Sequence, residues 1–246
     1  MLENLKAVGV GTEHIQILKG VPTGIAMITV GDNDNTIIVV PGANGKVDRA
    51  YIDSIKSELE KFDMVVLQHE IPLETVHYVI EFCYEKGIKI VLNPAPAAAV
   101  PMEIIDKVTY VTPNEHEAVL IFGDELSTEE LLRKYPEKLV ITQGSRGVST
   151  CLKDGQILNV PARKAQVVDT TGAGDTLNGA FSVQIAEGKA IEDALAYANV
   201  AASLSTEKFG AQTGMPTAEE VETALKILNG ESVEKEIPVE MELITK

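Results

Sequence analysis

VVDTTGAGDTLNGAF, residues 167–181, is the stretch on which the fold turns. Val167 and Val168 lead into Asp169, Thr170 and Thr171, and Gly172 and Gly174 then flank Ala173 where a helical pattern begins. Glycine at a helix start lets other atoms approach the backbone. The first N–H groups of the helix have no partner within it and point outward. A phosphate, or phosphoryl charge developing during a reaction, suits that spot. Asp175 in the first turn equally suits the positive end of a helix dipole. Local physics alone leaves two readings, an anion site or an ordinary helix start.

Toward the N-terminus lies a second glycine cluster, Thr142-Gln143-Gly144-Ser145-Arg146-Gly147, after an apolar run. It reads either as a second anion loop on the same sheet edge or as a plain glycine turn. GANGKV at 42–47 has the wrong spacing for a P-loop. Asn114-Glu115-His116-Glu117 sits between a strand pattern and a helix pattern. An amide and a carboxylate three apart share a helix face and suit a hydrated magnesium–phosphate group, which keeps several waters. The same spacing suits Asn114 as a helix cap with Glu117 reaching back to it. His14, His69, His77 and His116 have no metal-ligand spacing and read as structural or surface residues.

These clusters belong to an alternating chain. DMVVLQ (63–68), KIVLN (89–93), KVTYVT (107–112) and KLVITQ (138–143) are short, rich in branched residues and bounded by polar loops, as buried strands are. Helical patterns at 48–61, 72–86, 114–122 and 127–134 separate them. That alternation predicts a doubly wound α/β domain: a mostly parallel sheet, right-handed crossovers and helices on both faces. Two hairpins interrupt it. One pairs 24–30 with 36–42 around GDNDN, and the other spans 148–160 with its turn at Asp154-Gly155. Helices are predicted at 174–187, 191–207 and 217–229, and a strand entered through Pro238 at 236–246. Ligands in such sheets bind beyond the carboxyl ends of the strands, which marks Glu70, Asn93, Asn114 to Glu117 and Gly144 to Gly147.

Composition narrows the class. With 246 residues, 45% hydrophobic and 24% charged, the chain can bury a sizeable core. A net charge of −16 argues against a nucleic-acid partner, though not against a nucleotide, and 4% aromatics argue against a base-stacking surface. No apolar run suits a membrane span and no secretory signal opens the chain, so a cytoplasmic protein is expected. Cys83 and Cys151 then read as buried, reduced thiols.

In chain order, VPTGIAMITV (21–30), IIVVPGAN (37–44), LQHEIPLETV (67–76), VLNPAPA (91–97), TPNEHEA (112–118), ITQGSRGV (141–148) and VVDTTGAGDTLNGAF resemble the carbohydrate kinases of the ribokinase family over most of the chain. The resemblance implies ATP-dependent phosphorylation of a sugar hydroxyl, with ribose giving ribose 5-phosphate. It casts Asp175 as the base, and the amides of Gly172, Ala173 and Gly174 as the anion hole. Thr142, Gly144, Ser145, Arg146 and Gly147 match the nucleotide-phosphate loop, Asn114 an ATP contact and Asn199 a position near the adenine. Glu117 matches the carboxylate that organises magnesium, and Glu70 a sugar contact. Asp169, Thr171, Ser205, Lys208, Gly210 and Gly214 match the ligands of a monovalent cation, K⁺, most of them through backbone carbonyls.

The resemblance has two departures. Set beside the family, Met1 falls inside a later helix. An opening strand with an Asn-x-Asp sugar contact and a Gly-Gly-Lys stretch are expected to be missing, and the domain to be N-terminally truncated. That leaves open a non-catalytic nucleotide-binding remnant or folding unit. The other departure is the end, where ALKILNGESVEKEIPVEMELITK (224–246) resembles the last helix and strand of ribose-binding proteins. The expected organisation is one domain over 1–229, whose hairpin 22–42 belongs to the lid region, and a tail strand over 230–246. The tail is expected to cover a sheet edge in its own chain or across a homodimer.

Overall fold

Branched residues set the strands, and Gly87 and Gly123 end two of the helices. The computed structural model describes residues 1–31 and 34–231, and the chain forms two compact units, Met1–Asn159 and Val160–Lys246. This division falls inside the span expected as one domain. Unit one opens with helix α1 (Leu2–Ala7) and the antiparallel hairpin β1 (Ile25–Gly31) and β2 (Asp34–Val40), paired from Ile25↔Val40 to Gly31↔Asp34. Both strands run further toward the turn than the expected GDNDN loop.

Alternation follows: α2 (Arg49–Leu59), β3 (Met64–Gln68), α3 (Leu73–Lys86), β4 (Lys89–Asn93), α4 (Met102–Lys107), β5 (Tyr110–Val111), α5 (Glu115–Phe122), α6 (Thr128–Lys134) and β6 (Val140–Thr142). Asp48 caps α2 by accepting the Tyr51 N–H at 2.9 Å, and Gly87, left-handed at φ 71°, ends α3. β3, β4 and β5 form a parallel sheet, with Gln68 opposite Asn93 and Leu92 opposite Val111. Single parallel bridges, Val111↔Leu139 and Asn114↔Thr142, bring β6 alongside. β7 (Val148–Cys151) pairs antiparallel with β6, and β8 (Ile157–Val160) pairs with β7. Val76, Ile80, Ile90, Leu92, Ile105 and Leu139 are fully buried between these layers.

The third predicted strand is corrected. Lys107 ends a helix, and within this stretch only Tyr110 and Val111 form a strand. Residues 102–107 make a helix too short to stand on its own propensity. Its exposed end is capped from a distance, because Lys138 Nζ donates to Ile105 O at 2.9 Å and Asp106 O at 2.8 Å. The β7–β8 turn is closed as expected, with Gly155 at φ 87° and Leu152 N donating to Gln156 O at 2.8 Å.

Unit two contains α7 (Ala173–Ala186), α8 (Ile191–Ser205) and α9 (Ala218–Leu228). Val200 and Ala201 of α8 bury against Val221 of α9, and Phe181 of α7 is fully buried. Of the expected tail strand over 230–246, everything past Glu231 lies outside the described residues. Among the described residues no helix is long and apolar enough to cross a membrane.

Candidate active site

In unit one, the carboxyl edge of the parallel sheet carries the expected polar residues. β3 runs into the exposed Glu70, and Asn93 at the end of β4 donates from Nδ2 to Thr112 O at 3.2 Å. Asn114 begins α5 with a complete capping box. Its Oδ1 accepts the Glu117 N–H and its own N–H donates to Glu117 Oε2, both at 2.8 Å. The cap reading is thus realised. It also fixes Glu117, whose carboxyl burial pushes above the ordinary glutamate range while the Asn114 N–H pulls the other way. Its second oxygen is left for a ligand. Among the described residues no three His, Cys, Asp or Glu side chains gather as a metal site. One fixed carboxylate nevertheless fits magnesium, which is held by one or two carboxylates plus substrate phosphates.

The bridge Asn114↔Thr142 places the second glycine cluster beside this cap. Thr142 N donates to Pro113 O at 2.9 Å, and the chain then makes a single turn, Gly144–Arg146, closed by Gln143 N to Gly147 O at 2.8 Å. Gly144 at φ 56° and Gly147 at φ 95° occupy backbone that other residues enter only with strain. Ser145 is exposed, and Arg146 pairs with the carboxylate of Glu115. Amide, hydroxyl, guanidinium and tight backbone therefore share one edge.

In unit two, Gly172 is the left-handed N-cap of α7 at φ 80°. Ala173 N donates to Thr170 O and Thr176 N to Gly172 O. No partner among the described residues takes the N–H groups of Gly174 and Asp175. Asp175 is exposed in the first turn. Its carboxylate makes no hydrogen bond or ion pair among the described residues.

Two loops hold this helix start. Asp169 Oδ1 accepts the Thr171 N–H and Oδ2 the Gly210 N–H, both at 2.9 Å. These bonds, from Thr171 first and then Gly210, hold its carboxyl below the usual aspartate value. Val168 N and Asp169 N both donate to Thr206 O. At Gly214 the backbone forms a cradle that sequence reading anticipated only as a row of positions. A methyl carbon placed on Gly214 would lie 2.6 Å from Ser205 O, 2.9 Å from Gly210 O and 3.5 Å from Lys208 O. The three carbonyl oxygens crowd this face of Gly214, which leaves room for glycine and for no larger residue.

Asn199 lies elsewhere in unit two. It is buried in α8, and its Nδ2 donates to Pro161 O at 2.8 Å and Val160 O at 3.3 Å, so its amide hydrogens pin the segment after β8. Sequence reading gave no hint of the Arg146–Glu115 pair or of the burial of His69, since neither leaves a periodic trace.

Comparison with known proteins gives the following. The family model described as pfkB family carbohydrate kinase matches residues 1–218. The ribokinase of Bacillus subtilis is 49% identical over 225 residues, covering 92% of this chain and 76% of that protein. The ribokinase of Lactococcus lactis is 46% identical over 229 residues, covering 93% and 75%. Among solved structures, the Arabidopsis thaliana ribokinase complexed with ribose and ATP superposes with a TM-score of 0.81 at 29% identity, covering 90% of this chain and 77% of that one.

Proposed function

The chain belongs to the pfkB carbohydrate kinase family, and from that premise we propose that it transfers the terminal phosphoryl group of ATP to a hydroxyl of ribose, giving ADP and ribose 5-phosphate. The observation that carries the reading is the start of α7. Free N–H groups and an unpaired carboxylate are presented together on a helix end braced by two loops. Phosphoryl transfer asks a protein for positioning and charge stabilisation more than for covalent help.

In this reading Asp175 accepts the proton of the attacking sugar hydroxyl, and the amides of Gly172, Ala173 and Gly174 face the phosphoryl oxygens as charge redistributes, the Ala173 N–H exchanging its 3.2 Å bond to Thr170 O for them. Asn114, Thr142, Gly144, Ser145, Arg146 and Gly147 hold the nucleotide, with Asn199 shaping the adenine side, and Glu70 meets the sugar. Magnesium, which Glu117 would orient, supplies positive charge against the phosphates when bound. Asp169, Thr171, Ser205, Lys208, Gly210 and Gly214 would hold a potassium ion, whose positive charge would help to keep the helix start in place. Buried free thiols at Cys83 and Cys151 support a cytoplasmic setting. Ile25, Met27, Ile38 and Val40 share one exposed face of the β1–β2 hairpin, which supports pairing of two copies.

ADP release with magnesium-ATP, with and without ribose, tests the reading when the phosphorylated product is identified. Ribose-dependent ADP and ribose 5-phosphate are expected. ATP binding with no ribose-dependent ADP would overturn it in favour of a nucleotide-binding remnant.

A further inference from the structure

Two imidazoles, His69 buried and His77 half-buried, take no part in the phosphoryl machinery. His69 and His77 each keep a buried Nε2 without a hydrogen-bond partner among the described residues. His69 Nδ1, however, lies 3.1 Å from Pro96 O. A carbonyl only accepts, so Nδ1 carries the hydrogen in this contact. Burial holds its pKa below the ordinary histidine value, against the pull of that carbonyl. The backbone repeats the link, with His69 N donating to Ala95 O at 2.8 Å. One residue thus ties the turn after β3 twice to the loop after β4.

The fold alone does not ask for a histidine at this position. An apolar side chain would fill the space without burying an unsatisfied Nε2, and an orphaned buried nitrogen is destabilising. What only a donor at the Nδ1 position supplies is the bond to Pro96. The next residue in the chain is Glu70, exposed at the carboxyl edge and without a hydrogen bond or ion pair of its own among the described residues.

We propose that His69 is a positioning residue for the sugar end of the site, clamping the turn after β3 to the Ala95–Pro96 loop and so fixing where Glu70 presents its carboxylate. The proposal rests on the reading of Glu70 as the sugar contact. It makes His69 a determinant of ribose affinity without contact to ribose.

Steady-state kinetics of the full chain at varied ribose and saturating magnesium-ATP, then at varied ATP, tests it with His69→Leu, His69→Gln, His69→Asn, Glu70→Gln and the double variant His69→Leu/Glu70→Gln. Loss of one clamping hydrogen bond should raise the ribose KM about three- to tenfold in His69→Leu. The ATP KM should stay where it was. His69→Asn, with its N–H near the Nδ1 position, should recover most of the loss. His69→Gln, with its amide near the Nε2 position, should not, and this polar pair keeps the comparison intact if the leucine variant folds poorly. In the Glu70→Gln background, His69→Leu should add little, because residues acting as one unit are not additive. Equal rises in both KM values, equal behaviour of Asn and Gln, or full additivity would each overturn the proposal. If Glu70→Gln raises the ribose KM while His69→Leu does not, the inference about His69 alone fails. If Glu70→Gln leaves the ribose KM unmoved, the reading of Glu70 fails and takes the inference with it.

Discussion

Replacing Gly214 with alanine tests the carbonyl cradle directly. The added methyl would sit 2.6 Å from Ser205 O and 2.9 Å from Gly210 O, inside van der Waals contact with two backbone oxygens. Neither oxygen can rotate away, as the end of a side chain could. Ser205 is buried at the end of α8, and Gly210 O already accepts the Gly214 N–H at 2.8 Å. Relief requires the 205–214 loop to move, and overpacking of this kind costs about 1–3 kcal/mol. Reduced freedom of the unfolded chain offsets roughly 0.4–1 kcal/mol of that. The net loss is therefore about 0–2.6 kcal/mol, centred near 1 kcal/mol. Melting should fall by roughly 2–4 °C for each kcal/mol lost in a chain of this size.

The functional effect should be larger than the thermal one. The methyl would press on the Ser205, Gly210 and Lys208 carbonyl oxygens, so the loop shift that relieves it would also displace the carbonyls proposed to hold a potassium ion. ATP affinity of the parent should be tighter in potassium chloride than in tetramethylammonium chloride at equal ionic strength, and Gly214→Ala should abolish the difference. Isothermal titration in the two salts, beside thermal melts, reads both quantities. A variant that melts with the parent and keeps the full potassium response would refute the reasoning, because the space would then be neither tight nor a cation seat.

Asp175→Asn should lower kcat by about 10²–10⁴-fold, the usual contribution of a positioned base, while ATP affinity measured by titration stays within a few-fold; turnover at the parent rate removes Asp175 from that role. Gly174→Ala and Gly179→Ala both place a methyl on α7 with no neighbour within 4 Å, so each should raise stability by roughly 0.4–1 kcal/mol in urea melts; only Gly174→Ala should reduce phosphoryl transfer, and equal activity in the two would remove Gly174 from the anion hole. Asp169 has a folded pKa held below its unfolded value by the Thr171 and Gly210 N–H groups, so its stabilisation is present above about pH 3.9 and is lost as pH falls through the folded value. Glu117, raised by burial, has the opposite sign, its contribution being present below about pH 4.3 and lost as pH rises through the folded value. Urea melts across acid pH should therefore show a shallower acid loss in Asp169→Asn than in the parent, and a flatter upper limb in Glu117→Gln, which keeps an acceptor for the Asn114 N–H.

Sequence reading succeeded where a residue's side chain decides its place. Ile90 and Val91 announce a buried strand, Val65 and Val66 a strand that is only half-buried, and Asn114 with Glu117 announces a capping box that the structure contains. It failed where the deciding contact comes from far along the chain. The helix Met102–Lys107 has little propensity of its own, and Lys138 caps it from the other side of a strand and two helices. Asn199 could be given a position by resemblance, yet nothing in its surroundings in the sequence says that its amide hydrogens are taken by Val160 and Pro161. Carbonyl ligands are harder still, since any residue has a carbonyl and the choice of Ser205 or Lys208 leaves no mark. Only Gly214 betrays that cradle, and then only once the three oxygens are seen to converge on it.

The glycines sort themselves by the reason each lacks a side chain. Gly87, Gly123, Gly155 and Gly188 have positive φ and open space around them, so their conformation alone accounts for them. Gly214 has an ordinary φ and three carbonyls pressed against it, so local packing accounts for it. Gly172 has both, with φ 80° and Ala211 Cα 3.1 Å from where a methyl would stand, which makes it the most constrained point of the helix start. Gly174 has neither. A helix would prefer alanine there, by about 0.8–1 kcal/mol in its interior and by less in the first turn. Neither backbone strain nor a neighbouring group among the described residues opposes the exchange. What remains is the approach of something outside the chain to the N–H groups of Gly174 and Asp175, and an anionic phosphoryl group answers both the free donors and the need for bare backbone. The described residues give Gly174 no reason to be glycine, and the proposed phosphoryl group supplies one.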